Sequence, residues 1–178
     1  MRPSILDPLF RPVSSLKGVG PKIAVMMERV AGPLVRDLVY LAPAGIVDRR
    51  YQPKAIDVEP GRLATLQLKI VGHQPSRSRR QPYRVIAADA TGEVALVFFH
   101  ASKPYLERLL PPGEERLISG MVEHYRGMPQ ITHPDHIVSL EDAADLPLVE
   151  PVYPLTAGLT GKTLRKGIVQ GIDCLLYT

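Results

Sequence analysis

The sequence contains no tryptophan, and only three of its 178 residues are phenylalanine. It has a single cysteine, Cys174, which excludes an intramolecular disulfide and a zinc site built from cysteines. No apolar run approaches the roughly 18 residues that a membrane-spanning helix requires, and residues 1–12 lack the apolar core of a signal peptide. We therefore expect an intracellular protein of a reducing compartment, with no membrane partner.

Two of the three phenylalanines are adjacent, at the end of the stretch Glu93–His100. This stretch reads EVALVFFH, and its six consecutive apolar residues, rich in β-branched and aromatic side chains, predict a strand. Because side chains alternate between the two faces of a strand, Phe98 shares a face with Val94 and Leu96, and we expect that face to fill the core. Phe99 lies on the opposite face. We interpret it as an exposed platform for base stacking, and the alternative is that it packs beneath a neighbouring helix.

Basic residues are distributed unevenly along a chain whose net charge is only +4. Residues 62–84 contain six lysines or arginines and no acidic residue, whereas residues 141–150 contain four acidic residues and no basic one. A basic stretch is often only a solvated face, but beside an exposed aromatic residue it is typical of a polyanion-binding surface. We interpret four of these basic residues as phosphate-binding, namely Arg77, Arg79, Arg80 and Arg84.

The hydrophobic pattern becomes alternating at Arg62, and from there it predicts a mainly β fold. Five strands are expected at 62–70, 83–87, 93–100, 115–124 and 130–138, the last interrupted by Pro134, with one helix at 102–110. Gly120, in the middle of the fourth predicted strand, is expected where the barrel bends. This order is that of an OB-fold, a five-stranded Greek-key barrel, which binds oligonucleotides on one face and through the loop between strands one and two. In this chain that loop carries three of the four arginines.

Helical segments flank the predicted barrel. We expect residues 1–61 to form a helical cap and an extended connector, 62–140 the barrel, and 141–178 an acidic linker and the start of a helix that continues in a longer parent chain. The turn LKGVGPK resembles a helix-hairpin-helix turn, whose glycines and following helix N-terminus favour a phosphate. Lys17 and Lys22 are therefore candidate phosphate ligands. The alternative is a tight turn that only packs the cap.

Three possible chemical sites are rejected. Gly161-Lys162-Thr163 imitates the end of a phosphate-binding P-loop, but Thr156 stands where that motif requires glycine. His133 and His136 have a metal-like spacing, but Pro134 separates them and no third ligand is evident. No nucleophile, base and orienting acid occur together. The sequence therefore predicts no catalytic residue, no metal site and no small-molecule substrate.

Four separated motifs carry a family resemblance: LKGVGPK, DATGEVALVFF, HYRGMPQITHPDH and PVYPLTAGLTGKTLRK. In this order and spacing they resemble the N-terminal wedge region of the RecG branch-migration helicases, over roughly Leu16 to Lys166. The resemblance implies a barrel that binds branched DNA, such as stalled replication forks and Holliday junctions. It implies that the barrel splits the duplex arms for a double-strand DNA translocase in fork reversal and recombinational repair. The motor, with its ATP and Mg²⁺, would lie beyond residue 178, so this fragment would bind no cofactor and would not be an enzyme.

The resemblance also implies roles for individual residues. Phe98 and Phe99 would stack on unpaired bases, with Tyr105 in the next helix as a further candidate. Independently of the resemblance, Arg126 in the turn before the last predicted strand is a further candidate phosphate-binding residue. The implied protein is bacterial, cytoplasmic, nucleoid-associated and monomeric, and its partners are branched DNA and the motor domains of the same parent chain. Two alternatives remain: an OB-fold module for RNA or tRNA, and a protein-docking domain without nucleic-acid specificity.

Overall fold

The computed structural model describes residues 4–76, 78, 81–99 and 101–176, which fall into two compact units. A helical unit combines the residues up to Val47 with those from Pro151 onward, and a barrel unit comprises Asp48–Glu150. The barrel unit therefore includes residues 48–61 and 141–150, which the sequence analysis assigned to the flanking regions. The helix near the C-terminus belongs to the same unit as the helices near the N-terminus.

The secondary structure is mixed, with the strands concentrated in the barrel unit. The helices are α1 (Pro21–Val30), α2 (Val35–Val39), α3 (Lys103–Leu109) and α4 (Gly161–Leu176). Short 3-10 helices lie at Ser4–Phe10, Val13–Ser15, Ala55–Asp57 and Ala143–Asp145. The strands are β1 (Gly45–Asp48), β2 (Leu63–Gln74), β3 (Tyr83–Ala88), β4 (Glu93–Phe98), β5 (Glu115–Tyr125), β6 (Met128–Thr132), β7 (His136–Val138) and β8 (Val149–Val152).

Two glycines bring α4 close to the other helices of the helical unit. A Cβ atom on Gly167 would lie 3.1 Å from Met27 Cε, and one on Gly171 would lie 2.8 Å from Val39 Cγ2. Each glycine lowers the intrinsic stability of a helix by about 1 kcal/mol relative to alanine. Because these two glycines have no side chain, α4 packs closely against the other helices, around a core that includes the fully buried Leu164.

Five strands close into the barrel in the order β2-β3-β4-β6-β5, and β5 pairs with β2 to complete it. β4 and β6 are parallel, the other pairs in the barrel are antiparallel, and α3 connects β4 to β5. Outside the barrel, β7 pairs with β5, while β1 and β8 form a separate two-stranded sheet. The predicted OB-fold, mainly β with helical additions, is confirmed.

The last predicted strand, 130–138, is interrupted around Pro134, as the sequence indicates. The chain forms β6 and β7 there, and His133 between them has a φ of +48°, in the left-handed region. β6 pairs with both β4 and β5, whereas β7 pairs with β5 at residues 117–119. Pro134 follows His133 and cannot donate a ladder hydrogen bond, so the strand breaks at this point. The break sets the position of the His133 side chain.

A buried ion pair joins the two ends of the barrel unit. Arg49 Nη1 lies 2.7 Å from Glu150 Oε2, and the Arg49 side chain is almost completely buried. The backbone N–H of Arg49 donates to the carbonyl of Leu148 at 2.7 Å. A buried guanidinium needs an opposite charge, and this pairing explains why the segments that contain Arg49 and Glu150 belong with the barrel rather than behaving as linkers.

The carboxylate of Asp89 organises the turn between β3 and β4. It accepts hydrogen bonds from the backbone N–H groups of Thr91, Gly92 and Ala55, at 2.7 to 3.1 Å, and from the Thr91 hydroxyl. Burial raises the pKa of this carboxyl, but the hydrogen bonds outweigh burial and hold the pKa at about 2. The side chain therefore ties the 3-10 helix at Ala55–Asp57 to the hairpin.

We expect Asp89→Ala to lower the free energy of unfolding by about 2 kcal/mol, because it leaves the N–H groups of the buried Ala55 and of two turn residues without their acceptor. A carboxyl with a lowered pKa contributes its stability fully above the unfolded-state pKa of about 4, and loses it as the pH falls towards 2. Urea denaturation at several pH values measures both effects. Asp135→Ala, at an exposed carboxylate of the same unit, is the control, and equal stability of the two variants at pH 7 would contradict the assignment.

Candidate nucleic-acid interface

Phe99 follows β4 directly and presents an exposed aromatic ring. The side chain is 45% exposed, and its backbone N–H donates to His133 Nε2 at 3.2 Å. The two ring centroids are 5.7 Å apart with planes inclined by 37°. The backbone N–H of His133 in turn donates to the carbonyl of Val97 at 2.9 Å. These contacts hold the end of β4 against the chain that leaves β6, so Phe99 is an exposed ring on a fixed backbone.

Phe98 and Tyr105 differ from Phe99 in their surroundings. Phe98 is only 7% exposed and belongs to the barrel core, as its place in the alternation predicts. The proposed stacking role of Phe98 is therefore corrected, because a buried ring offers no face to a base. Tyr105, on α3, is 50% exposed, and its role as a stacking partner stays a prediction.

Two of the arginines interpreted as phosphate-binding meet at one aromatic ring. Arg84 on β3 and Arg126 in the β5–β6 turn place their guanidinium carbons 5.4 Å and 5.3 Å from the ring centroid of Tyr125. Tyr125 itself is 45% exposed. Sequence reasoning missed this tyrosine, because nothing nearby in the sequence indicates that Arg84 lies beside it.

An open cleft of about 620 Å³ connects this tyrosine to the loop between β2 and β3. The cleft is lined by the residues on either side of that loop, 74–76 and 81–82, together with Arg84 and Tyr125. The other three predicted phosphate ligands of this loop, Arg77, Arg79 and Arg80, lie outside the described residues. Their phosphate-binding role stays a prediction from the sequence.

The start of the loop is held by a hydrogen-bond network. His73 Nε2 lies 2.7 Å from the carbonyl of Leu110, so it donates the proton, and Nδ1 then accepts from the Tyr83 hydroxyl at 2.9 Å. Burial raises the pKa of the Tyr83 hydroxyl, and the carboxylate of Glu107 raises it further. The hydroxyl therefore remains a donor, and the network anchors the end of β2, where the basic loop begins.

Lys17 and Lys22 are exposed in the helical unit, whereas the arginines and aromatic rings above belong to the barrel unit. The side-chain amide of Gln170 on α4 forms two hydrogen bonds with the backbone of Lys17. It accepts from the Lys17 N–H at 2.8 Å and donates to the Lys17 carbonyl at 3.1 Å. Gly18 in the same turn has a φ of +82°. The hydrogen bonds to α4 therefore hold the turn in place, and its phosphate-binding role stays a prediction.

Within the described residues, no group of three or more histidine, cysteine, aspartate or glutamate side chains is placed to hold a metal ion. No helix in that part of the chain combines the length and apolar composition needed to cross a bilayer.

Comparisons with known proteins assign the chain to a family. The ATP-dependent DNA helicase RecG of Escherichia coli is 28% identical over 178 residues, which cover 98% of this chain and 25% of that protein. RecG of Thermotoga maritima is 28% identical over 164 residues, covering 89% of this chain and 20% of that protein. The chain thus spans about a quarter or less of the length of these curated relatives.

The fold comparison agrees with the sequence comparison. A structure of RecG bound to a three-way DNA junction superposes with a TM-score of 0.76 at 26% identity, covering 96% of this chain and 24% of that one. A family model described as the RecG wedge domain matches residues 12–175. The chain therefore belongs to the RecG wedge domain family.

Proposed function

We propose that this chain is a DNA-binding wedge that recognises branched DNA, such as stalled replication forks and Holliday junctions, and splits its duplex arms. The wedge would serve a double-strand DNA translocase in fork reversal and recombinational repair. In this proposal the ATPase motor, with its ATP and Mg²⁺, lies in the part of the relatives that the chain does not match. The chain itself then binds DNA without hydrolysing ATP.

The observation that carries the proposal is the exposed ring of Phe99 at the end of β4. An aromatic ring that replaces the stacking partner of a base stabilises an unpaired nucleotide by roughly 1–3 kcal/mol. Because His133 and Val97 fix the backbone on which Phe99 sits, inserting the ring between separating strands costs little ordering. The ring can therefore cap the first unpaired base at a branch point and oppose reannealing.

The positively charged residues of the barrel unit also support the proposed binding of DNA. Arg84 and Arg126 are cations on the same unit as Phe99, and the β2–β3 loop adds three more arginines in the sequence. Cations that contact phosphates release condensed counterions, so binding should weaken steeply with salt. Phosphate contacts position the DNA without reading its sequence, as a protein that acts on forks of any sequence requires.

The first test is fluorescence anisotropy of the chain on a three-way DNA fork, a blunt duplex and a single strand of equal length. We expect preference for the fork, and we expect Phe99→Leu to reduce that preference about 10-fold, since leucine keeps the apolar bulk but loses the stacking face. Tyr40→Leu is the matched control, because Tyr40 is an exposed aromatic residue of the helical unit.

The other outcomes discriminate the alternatives. Equal binding to fork, duplex and single strand, unchanged in Phe99→Leu, would contradict the wedge and favour a docking domain. Tighter binding to a stem-loop RNA than to a DNA fork of equal charge would favour an RNA-binding module, since the 2′-hydroxyl distinguishes the two.

A further inference from the structure

The β5–β6 hairpin carries an aromatic ring with two arginines beside it, and the proposed function uses the arginines but gives no role to the ring. Tyr125 pairs with Met128 across the hairpin, and the two-residue turn between them consists of Arg126 and Gly127. Both guanidinium carbons, of Arg84 and Arg126, lie within 5.4 Å of the centroid of the Tyr125 ring. The cluster Arg84, Tyr125 and Arg126 is called the hairpin cluster below.

Arg126 has a backbone conformation that is unfavourable for arginine. Its φ is +53°, and the φ of Gly127 is +81°, the combination of positive values that a type I′ hairpin turn requires. Asparagine, aspartate and glycine are the residues that tolerate this conformation best. An arginine here is strained, and strain of this kind is typical of a residue kept for what its side chain does.

The charges of the hairpin cluster are not neutralised by carboxylates. Among the described residues, neither Arg84 nor Arg126 forms an ion pair, and both guanidinium groups are held beside the tyrosine ring instead. Glu123 is the nearby acidic residue on β5, and its carboxylate accepts hydrogen bonds from Gln130 and Thr132. Two cations beside a half-exposed ring therefore remain available for an anionic ligand.

The register of the strands links the hairpin cluster to Phe99. Arg84 pairs with Val97 of β4, so both point to the same face of the sheet. Phe99 follows two residues after Val97, just past the end of β4 and about 7 Å along the chain. A nucleic-acid strand whose base is capped by Phe99 can continue across Arg84 towards Tyr125.

We propose that the hairpin cluster is a second nucleic-acid subsite, which binds unpaired nucleotides of a single strand leaving the branch point. A base stacks on the exposed part of the Tyr125 ring or on a guanidinium plane, and the arginines contact the flanking phosphates. A duplex hides its base faces, so it can use only the charges. This inference rests on the proposed function, because it takes the strand that Phe99 separates as its ligand.

The test compares two DNA forks that differ in one arm, single-stranded in the first and duplex in the second. We expect Tyr125→Leu to weaken binding of the first fork about 5- to 10-fold, and of the second by less than about twofold, because only an unpaired base can stack. Phe99→Leu should weaken both. Tyr40→Leu, the exposed tyrosine of the helical unit, should change neither. Equal effects of Tyr125→Leu on both forks, or no effect, would overturn the subsite.

Arg126→Asn separates binding from folding. Asparagine suits the positive φ better than arginine, so this variant should melt at a higher temperature than the wild type and yet bind the single-stranded arm more weakly. Unchanged affinity in a stabilised Arg126→Asn variant would overturn the proposal.

A direct contact is tested by photocrosslinking the wild-type chain to a fork with 5-iodouracil in the single-stranded arm. We expect the crosslinked peptide to contain Tyr125, and a crosslink that maps elsewhere would overturn the proposal. Fork preference that depends on Phe99 but not on Tyr125 would refute the subsite alone. No fork preference in the wild type would refute the wedge and the subsite together.

Discussion

Replacing Gly120 with alanine should lower the free energy of unfolding of the barrel by about 3 kcal/mol, the upper range for overpacking a core. Gly120 is buried in β5, and a Cβ atom there would overlap Ile131 Cγ2 and lie 3.2 Å from Pro134 Cα. Ile131 is itself fully buried, and Pro134 meets the new atom with its backbone. Neither group can move aside without shifting the strand.

Gly72→Ala is the matched control for this prediction. Gly72 lies in β2, beside an irregularity in the pairing with β3, and a Cβ atom there would meet nothing within 4 Å. Alanine at such a site reduces the entropy of the unfolded chain, so we expect a change of less than about 1 kcal/mol in either direction. Urea denaturation followed by circular dichroism, with hydrogen exchange of the barrel amides, measures both variants. Equal stability of the two would show that β5 and β6 can separate at Gly120.

The same packing bears on the candidate interface. Gly120 allows the chain at Pro134 to approach β5 closely, and His133, the preceding residue, accepts the hydrogen bond from the Phe99 backbone. The position of the exposed ring thus depends on a glycine in a different strand. We therefore expect Gly120→Ala, where it still folds, to lose fork preference as well as stability.

Alternation within β4 was sufficient to predict the buried Phe98, which shares a face with the buried Val94 and Leu96. The exposure of Phe99 does not follow from alternation, because Ala95 and Val97 on the other face are buried as well and Phe99 lies just past the end of the strand. The order of strands and the helix before β5 likewise follow from periodicity and turn residues. The barrel was predictable from the sequence because each of its elements carries its own local signal.

The features that were missed depend on partners far away in the sequence. The two pieces of the last predicted strand pair differently, because β6 lies between β4 and β5 whereas β7 pairs with β5, and the burial of Arg49 follows from its pairing with Glu150. A connector rich in proline, arginine and aspartate and an acidic segment read separately as linkers, and their mutual pairing makes them part of the barrel unit. Tyr125 acquires its arginine neighbour from β3 only when the barrel closes.

Replacing Arg77, Arg79 and Arg80 together with alanine should weaken binding to a DNA fork on the order of 100-fold, the largest effect that we expect on DNA affinity. Each charge-assisted phosphate contact contributes about 1 kcal/mol after screening by salt, so three contacts give roughly this loss. The residues lie in the loop through which OB-folds bind oligonucleotides. The residues at the two ends of that loop line the cleft beside Tyr125.

The salt dependence of DNA affinity distinguishes direct phosphate contacts from attraction by the net charge. Loss of three phosphate contacts should reduce the slope of log affinity against log salt by about 2 to 3, since each contact contributes about 0.7 to 0.9. The matched control replaces the exposed Arg11, Arg29 and Lys166 of the helical unit with alanine, which removes the same three charges from a net charge of +4. If both triple variants lose affinity and slope equally, the chain attracts DNA only through its net charge. If the loop variant alone loses both, the loop arginines contact the phosphates directly.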